Sequence, residues 1–328
     1  MRMIKSLLRL TVLVAIVLAA YIAYSITRPL TLPGQPYEFA LNTGTSLKGL
    51  ARQMYLANVL PTEWTFVWTG RALGQASQIK AGNYEVSDSI TPLGLLNLVT
   101  KGQVSQNQIL IAEGYTFKQL RDILNANSDI RHDSIGLPEA EILQRIGAPE
   151  SRIEGLFFPD TYYFAKDSSD LALLRRAYLT MQQHLQQNWA NRAPDLPLES
   201  PYQALILASI VEKETGQAKD RSMVAGVFIN RLRIAMPLQT DPTVIYGLGD
   251  HFDGNLRKRD LLTDTPYNTY TRGGLPPTPI ALPGLAALQA SLHPATTDAL
   301  YFVARGDGSS QFSSTLSQHN RAVERYQK

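Results

Sequence analysis

Tyr202-Gln-Ala-Leu-Ile-Leu-Ala-Ser-Ile-Val-Glu-Lys-Glu-Thr215 is the stretch whose reading decides the fold. Ser200 is suited to cap a helix here, Pro201 suits its first position, and Gln203 completes a capping-box pattern. From Ala204 to Val211 only Ser209 is polar. A helix that is apolar on all sides is a buried helix. Two carboxylates then arrive together, Glu212 and Glu214, around Lys213. At 100° per residue, Glu212 continues the line of Leu205 and Ala208, and Glu214 that of Leu207, Ile210 and Val211. Both leave the core at the last turn, where a cleft can begin. A carboxylic acid there is partly desolvated and holds its proton more tightly than in water. That is what a general acid needs near neutral pH. The bland reading is a solvated helix end, and the helix dipole does not favour acids there.

Before this helix, Asp170 to Asn191 reads as a long amphipathic helix, with Leu171, Leu174, Tyr178, Met181, Leu185 and Trp189 on one side. Glu154-Gly-Leu-Phe-Phe-Pro-Asp-Thr-Tyr-Tyr-Phe164 reads as a turn and a core strand, or as the wall of a cleft. Glu113-Gly-Tyr-Thr116 opens a helix to Leu124, much as Ser46 opens one at Leu47. Asn125 to Gly136 reads as a polar loop, and Pro138 to Arg145 as a short helix. Tyr37 to Val86 orders as strand, helix, helix, strand. That order, with Gly-Thr-Ser-Leu and Ala-Gly-Asn-Tyr, resembles a LysM-like sugar-binding module. Trp64 and Trp68 read there as core residues rather than as a sugar platform.

After the central helix, Arg221 to Ile234 reads as a second apolar helix. Gln239-Thr-Asp241 reads as an extended polar loop, with Asp241-Pro242 starting a helix. Tyr267-Asn-Thr-Tyr270 sits in a loop stiffened by prolines. Pro283 starts another helix, residues 300–313 form a hairpin, and Ser317 to Gln327 closes as a helix.

At the other end, Leu10 to Thr27 carries no charge. About 18 to 20 such residues cross a bilayer. Arg2, Lys5 and Arg9 precede the run, so the N-terminus is expected in the cytoplasm and the rest outside. Pro29 to Pro36 reads as a stiff spacer. The expected organisation is a stub and transmembrane helix at 1–28, a linker at 29–36, a LysM-like subdomain at 37–105 and a catalytic domain at 106–328. The fold class is α+β, with a mixed α/β catalytic domain built on a buried central helix.

Composition narrows the chemistry. Of 328 residues, 44% are hydrophobic and 18% charged, which are globular values. A net charge of +3 without a basic, aromatic stripe points away from nucleic acid. With no cysteine there is no disulfide, thiolate site or cysteine nucleophile. The five histidines show no metal spacing, and neither a metal nor a cofactor is expected.

Read together, six motifs resemble the endolytic murein transglycosylase (YceG-like) family. They are Glu154-Gly-x-x-x-Pro-Asp-Thr-Tyr162, Leu207-Ala-Ser-Ile-Val-Glu-Lys-Glu-Thr215, Val227-Phe-Ile-Asn-Arg-Leu232, Leu238-Gln-Thr-Asp-Pro-Thr-Val-Ile-Tyr-Gly247, Tyr267-Asn-Thr-Tyr270 and Gly274-Leu-Pro-Pro277. The resemblance implies a lyase of the bacterial inner membrane, catalytic part outward, that cuts peptidoglycan glycan strands between N-acetylmuramic acid and N-acetylglucosamine without water. It implies Glu212 as the catalytic acid and base. It also implies an association with penicillin-binding protein synthases. Gln239, Thr240, Asp241, Tyr267, Asn268 and Tyr270 are expected to contact sugar, with Glu214 as a neighbouring charge. The alternatives are a hydrolase using Asp241 or Glu154 as a second carboxylate, and a non-catalytic glycan-binding scaffold.

Overall fold

The computed structural model describes residues 2–33, 37–42, 44–86, 89–101, 107–164 and 168–327, apart from the side chains at 2–11, 15, 18, 19 and 83. The expected cytoplasmic stub thus lies largely outside the described side chains. So do the end of the spacer, at 34–36, and the expected domain boundary, at 102–106. The chain divides into two units. One comprises Met1–Gln108 with Tyr162–Asp167, and the other Ile109–Thr161 with Ser168–Lys328.

The first unit holds α1 (Arg2–Thr27), β1 (Tyr37–Leu41), α2 (Leu47–Leu56), α3 (Glu63–Ala72), β2 (Gly82–Val86) and α4 (Pro92–Lys101). Among the described residues no helix is long and apolar enough to cross a membrane. Ser46 caps α2, its Oγ accepting from the Gly49 N–H at 3.1 Å. β1 and β2 pair antiparallel, with Phe39 opposite Tyr84 and their rings 5.3 Å apart. Leu50, Ala51, Met54, Phe66, Leu95 and Leu96 fill the core behind them.

The two tryptophans correct the expectation made for them. Trp64 and Trp68 are 45% and 63% exposed, not core. α3 packs through Phe66, Thr69 and Gly70 instead. A Cβ on Gly70 would lie 2.6 Å from Leu47, so the missing side chain sets the face on which α3 meets α2. Trp64 and Trp68, one turn apart, are left on another face. Trp64 stacks on Tyr21 of α1, with centroids 6.2 Å apart.

The second unit is mainly helical. Its elements are α5 (Phe117–Asn125), β4 (Ile130–Arg131), α6 (Glu139–Ile146), β6 (Ser168–Ser169), α7 (Asp170–Ala190), α8 (Pro201–Glu214), α9 (Ala218–Arg233), α10 (Asp241–Leu248), α11 (Lys258–Leu262), α12 (Leu285–Leu292), β7 (Tyr301–Ala304), β8 (Ser310–Ser313) and α13 (Leu316–Tyr326). The division between units runs through β3 (Asn107–Leu110) and β5 (Thr161–Phe164). β7 and β8 form the antiparallel hairpin expected from the sequence. The loop expected at Asn125–Gly136 contains β4, paired parallel with β6. Asp170, fully buried at the start of α7, organises it by accepting from Asp133 N, Ser134 N and Ser134 Oγ.

α8 is the buried centre of this unit. Ala204 to Val211 are all buried, and α7, α9, α10 and α12 pack around them. Ser200 Oγ accepts from Gln203 N at 3.3 Å, as the sequence indicates. The Gln203 side chain completes only part of a capping box, because its Oε1 accepts from Glu199 N instead. Ser209, the one polar residue of the run, spans two elements. Its hydroxyl donates to Ile206 O and accepts from Ile280 N at 3.0 Å. This bond ties the proline-rich loop to the side of α8.

Candidate functional site

The two acids at the end of α8 go to different places. Glu212 Oε2 accepts from the backbone N–H of Gly284 at 2.9 Å. Gly284 is the N-cap of α12, where unpaired N–H groups and the helix dipole favour an acceptor. Glu212 is half-buried. Burial is the main cause that pushes its carboxyl upward. The Gly284 N–H opposes that rise, the nearby charge of Glu113 adds to it, and Arg221 and Lys213 pull against it. Among the described residues Gly284 is the hydrogen-bond partner of this carboxyl, and its second oxygen makes no hydrogen bond. Lys213 turns aside and donates to Gly114 O at 3.2 Å.

Glu214 faces the other way, as 200° of helical rotation requires. It accepts a short hydrogen bond from Thr240 Oγ1. Burial is the main cause that pushes it up to about 7, and Asp241 adds to the rise. Arg231 offsets part of it. Glu214 lines a cleft of about 600 Å³ together with Arg231, Gln239, Asp241, Tyr270 and Tyr301. Tyr270 donates to Asp241 Oδ1 at 2.6 Å.

The residues expected to contact sugar therefore separate. Gln239, Asp241 and Tyr270 gather beside Glu214. Thr240 is buried and occupied by Glu214, with its own N–H on Thr269 Oγ1. Tyr267 donates to or accepts from Thr278 at 2.9 Å, and its ring meets that of Tyr246 at 4.8 Å. Asn268 is fully buried and acts as a loop staple. Its Nδ2 donates to the carbonyls of Asp260, Leu261 and Thr263, and its Oδ1 accepts from Tyr270 N. It shapes the segment that presents Tyr270 and is closed to a ligand.

Glu154, the possible second carboxylate, is buried, with both oxygens engaged. Its Oε1 accepts from Phe117 N and Gly155 N, and its Oε2 from Tyr246 OH. It joins α5 to α10. Burial pushes it from 4.5 up to about 7, against the pull of those three donors. The folded protein thus keeps this proton over a range in which the unfolded chain has lost it. The resulting stability is full below about 4.5 and is lost as pH rises through about 7. A shift of that size corresponds to about 3 kcal/mol at most. Glu154→Gln cannot titrate, so its Tm should fall less than the wild type's between pH 5 and pH 8. Parallel pH–Tm curves for the two proteins would refute this.

Some of the framework was not visible in the sequence. Arg231 is buried, and its guanidinium donates to the carbonyls of Pro237, Leu238 and Leu300. It anchors the chain entering Gln239, whose φ of 47° is left-handed. Asn230 binds the carbonyls of Thr297 and Ala299. The motif Val227–Leu232 therefore braces the cleft, and its Arg231 also lines it. Gly284 and Glu113 were not singled out either, since each meets Glu212 only in three dimensions.

A buried helix that ends in two differently housed acids, inside a mixed fold of helices and small sheets, defines a member of the YceG-like family. The profile of that family matches residues 39–325, and the chain belongs to it. The chain is 32% identical to the endolytic murein transglycosylase of Bacillus subtilis over 304 residues, covering 87% of this chain and 83% of the relative. It is 28% identical to the endolytic murein transglycosylase of Streptococcus pneumoniae over 281 residues, covering 75% of this chain and half of that longer relative. A crystal structure of a yceG-like protein from Listeria monocytogenes superposes with a TM-score of 0.53, at 28% identity, over 88% of this chain and 98% of the other.

Proposed function

We propose that the protein is a peptidoglycan lytic transglycosylase, a lyase that cuts glycan strands internally, with Glu212 as its acid and base. The kinship to enzymes named endolytic murein transglycosylases supports the activity. The observation that carries the assignment of the acid is the seat of Glu212. It is half-buried at the end of an apolar helix, with one oxygen on a backbone N–H and the other without a hydrogen-bond partner among the described residues.

In this reading the protonated Glu212 donates to the glycosidic oxygen between N-acetylmuramic acid and N-acetylglucosamine. The C1–O bond breaks and an oxocarbenium-like centre forms. The ionised Glu212 then takes the proton from the muramic acid's own C6 hydroxyl, whose oxygen closes on C1. The product carries a 1,6-anhydro ring, and the proton is back on Glu212. Tethering of that hydroxyl gives it a high effective molarity, so neither water nor a second nucleophilic carboxylate is needed. Gln239, Asp241 and Tyr270 hold sugar in the neighbouring cleft, and Thr240, Tyr267 and Asn268 keep that cleft in shape. Mass spectrometry of digested glycan strands tests the reaction. Anhydro ends are expected, and ends heavier by one water would make the protein a hydrolase.

One observation favours a second reading. Glu214 is the acid pushed up to about 7 inside a cleft, beside Asp241 and Tyr270. If it is the acid, Glu214→Gln and not Glu212→Gln will abolish cleavage.

The reading extends to the setting. Residues 10–27, uncharged and within the 26-residue helix α1, anchor the chain in the bacterial inner membrane with the rest outside. Support comes from the described side chains Val12, Leu13, Val14, Ile16 and Val17, all exposed. Removing residues 1–28 should move the protein from the membrane to the soluble fraction. The β-α-α-β order of the first unit supports a LysM-like, glycan-binding role. Trimming or terminating new strands alongside penicillin-binding protein synthases is the process this arrangement suits.

A further inference from the structure

We propose that Glu113 is a positioning residue for the reaction at Glu212, its carboxylate seated against the Cα of Gly284, whose N–H holds Glu212. This rests on the reading of Glu212 as the acid. A Cβ built on Gly284 would lie 1.8 Å from Glu113 Oε1 and 2.3 Å from its Cδ. The φ of Gly284 is −77°, a value any residue adopts. Glycine is therefore not required there by the backbone. The space a Cβ would fill is taken by the Glu113 carboxylate, so a side chain there displaces that carboxylate.

The turn that carries Glu113 is held independently of its side chain. Gly114 N donates to Leu282 O at 2.9 Å, and Leu282 N to Tyr115 O at 2.7 Å. Lys213 Nζ reaches Gly114 O, and Thr116 caps α5 with a full capping box. Among the described residues the exposed Glu113 carboxylate makes no hydrogen bond or ion pair. A bare carboxylate aimed at the N-cap that also serves Glu212 has no evident structural duty.

It has an electrostatic one. Two carboxyls sharing one helix start cannot both ionise cheaply. Glu113 is exposed, while Glu212 is half-buried and is pushed upward by burial first and by the charge of Glu113 in addition. The charged groups facing Glu212 are Glu113 from the turn before α5, Lys213 from its own helix and Arg221 from α9, and α12 presents the Gly284 N–H. Glu113 is the one among them that holds the proton on. The same repulsion makes the ionised Glu212 a better base when it reclaims the C6 hydroxyl proton. Both halves of the reaction gain from it, and the proton count is unchanged.

The test is the pH profile of strand cleavage by the full chain. Activity that needs protonated Glu212 falls as pH rises through its pKa. Glu113→Gln should therefore move the alkaline limb to lower pH by roughly half a unit to one unit, a three- to tenfold loss on that limb. KM and Tm should change little. An unmoved limb, or an equal loss at every pH, overturns the proposal. Gly284→Ala should shift the alkaline limb as Glu113→Gln does, and adding Glu113→Ala to it should cost little more, because the first change already evicts the carboxylate. Additive losses would count against the contact. If Glu212→Gln still cuts, the acid has been misassigned and this proposal falls with it. If Glu212→Gln is inert and the Glu113→Gln limb is unmoved, only this proposal falls.

Discussion

Glu212→Gln is expected to abolish strand cleavage, with a loss on the order of a thousandfold. The substitution keeps the size of the side chain and an oxygen for the Gly284 N–H, so the end of α8 and the start of α12 stay together. What disappears is the proton that leaves and returns. Tm should be unchanged or slightly higher, since a half-buried carboxyl becomes a neutral amide. Binding of glycan strands should persist. The measurement is release of anhydro ends from purified strands, read against Glu214→Gln. The latter should retain cleavage within roughly tenfold, since its acid is satisfied by Thr240 and screened by Arg231. Full activity in Glu212→Gln would move the chemistry to the other acid.

Gly155→Ala carries the largest expected loss of stability. Gly155 has φ of 81°, where a side chain costs about 1–2 kcal/mol. Its Cβ would also lie 2.3 Å from Cβ and 2.5 Å from Cγ of Pro279. A proline ring cannot swing aside, so backbone must move. The total is about 3–5 kcal/mol, or roughly 6–15 °C in Tm. Cleavage should fall further than unfolding alone explains, because Pro279 lies on the loop that ends at Gly284. Gly216→Ala is the control, with open space around its Cβ. A Tm within about 2 °C of wild type for Gly155→Ala would show that the loop yields.

Much of this was legible because it is local. The apolar run Ala204–Val211, capped by Ser200 and Pro201, announces a buried helix, and α8 is one. The order of strands and helices around Ser46 and Thr116 follows from capping and periodicity. Trp64 and Trp68 were misread because aromatic mass suggests burial, whereas the packing face of α3 was set by a glycine. Asn268 was misread for a similar reason. An amide in a turn-rich loop serves a ligand or the backbone equally well, and here three carbonyls claim it. Gly284 was invisible, since it joins Glu212 across 72 residues of chain and leaves no mark of its own in the sequence.

The bond from Gly284 to Glu212 has a further consequence. Donor and acid sit on neighbouring helices of one unit, packed directly on each other. The acid proposed for the reaction is thus already held in place in the free protein. On that reading, what sets the pace of cutting is where and when a strand is offered to it.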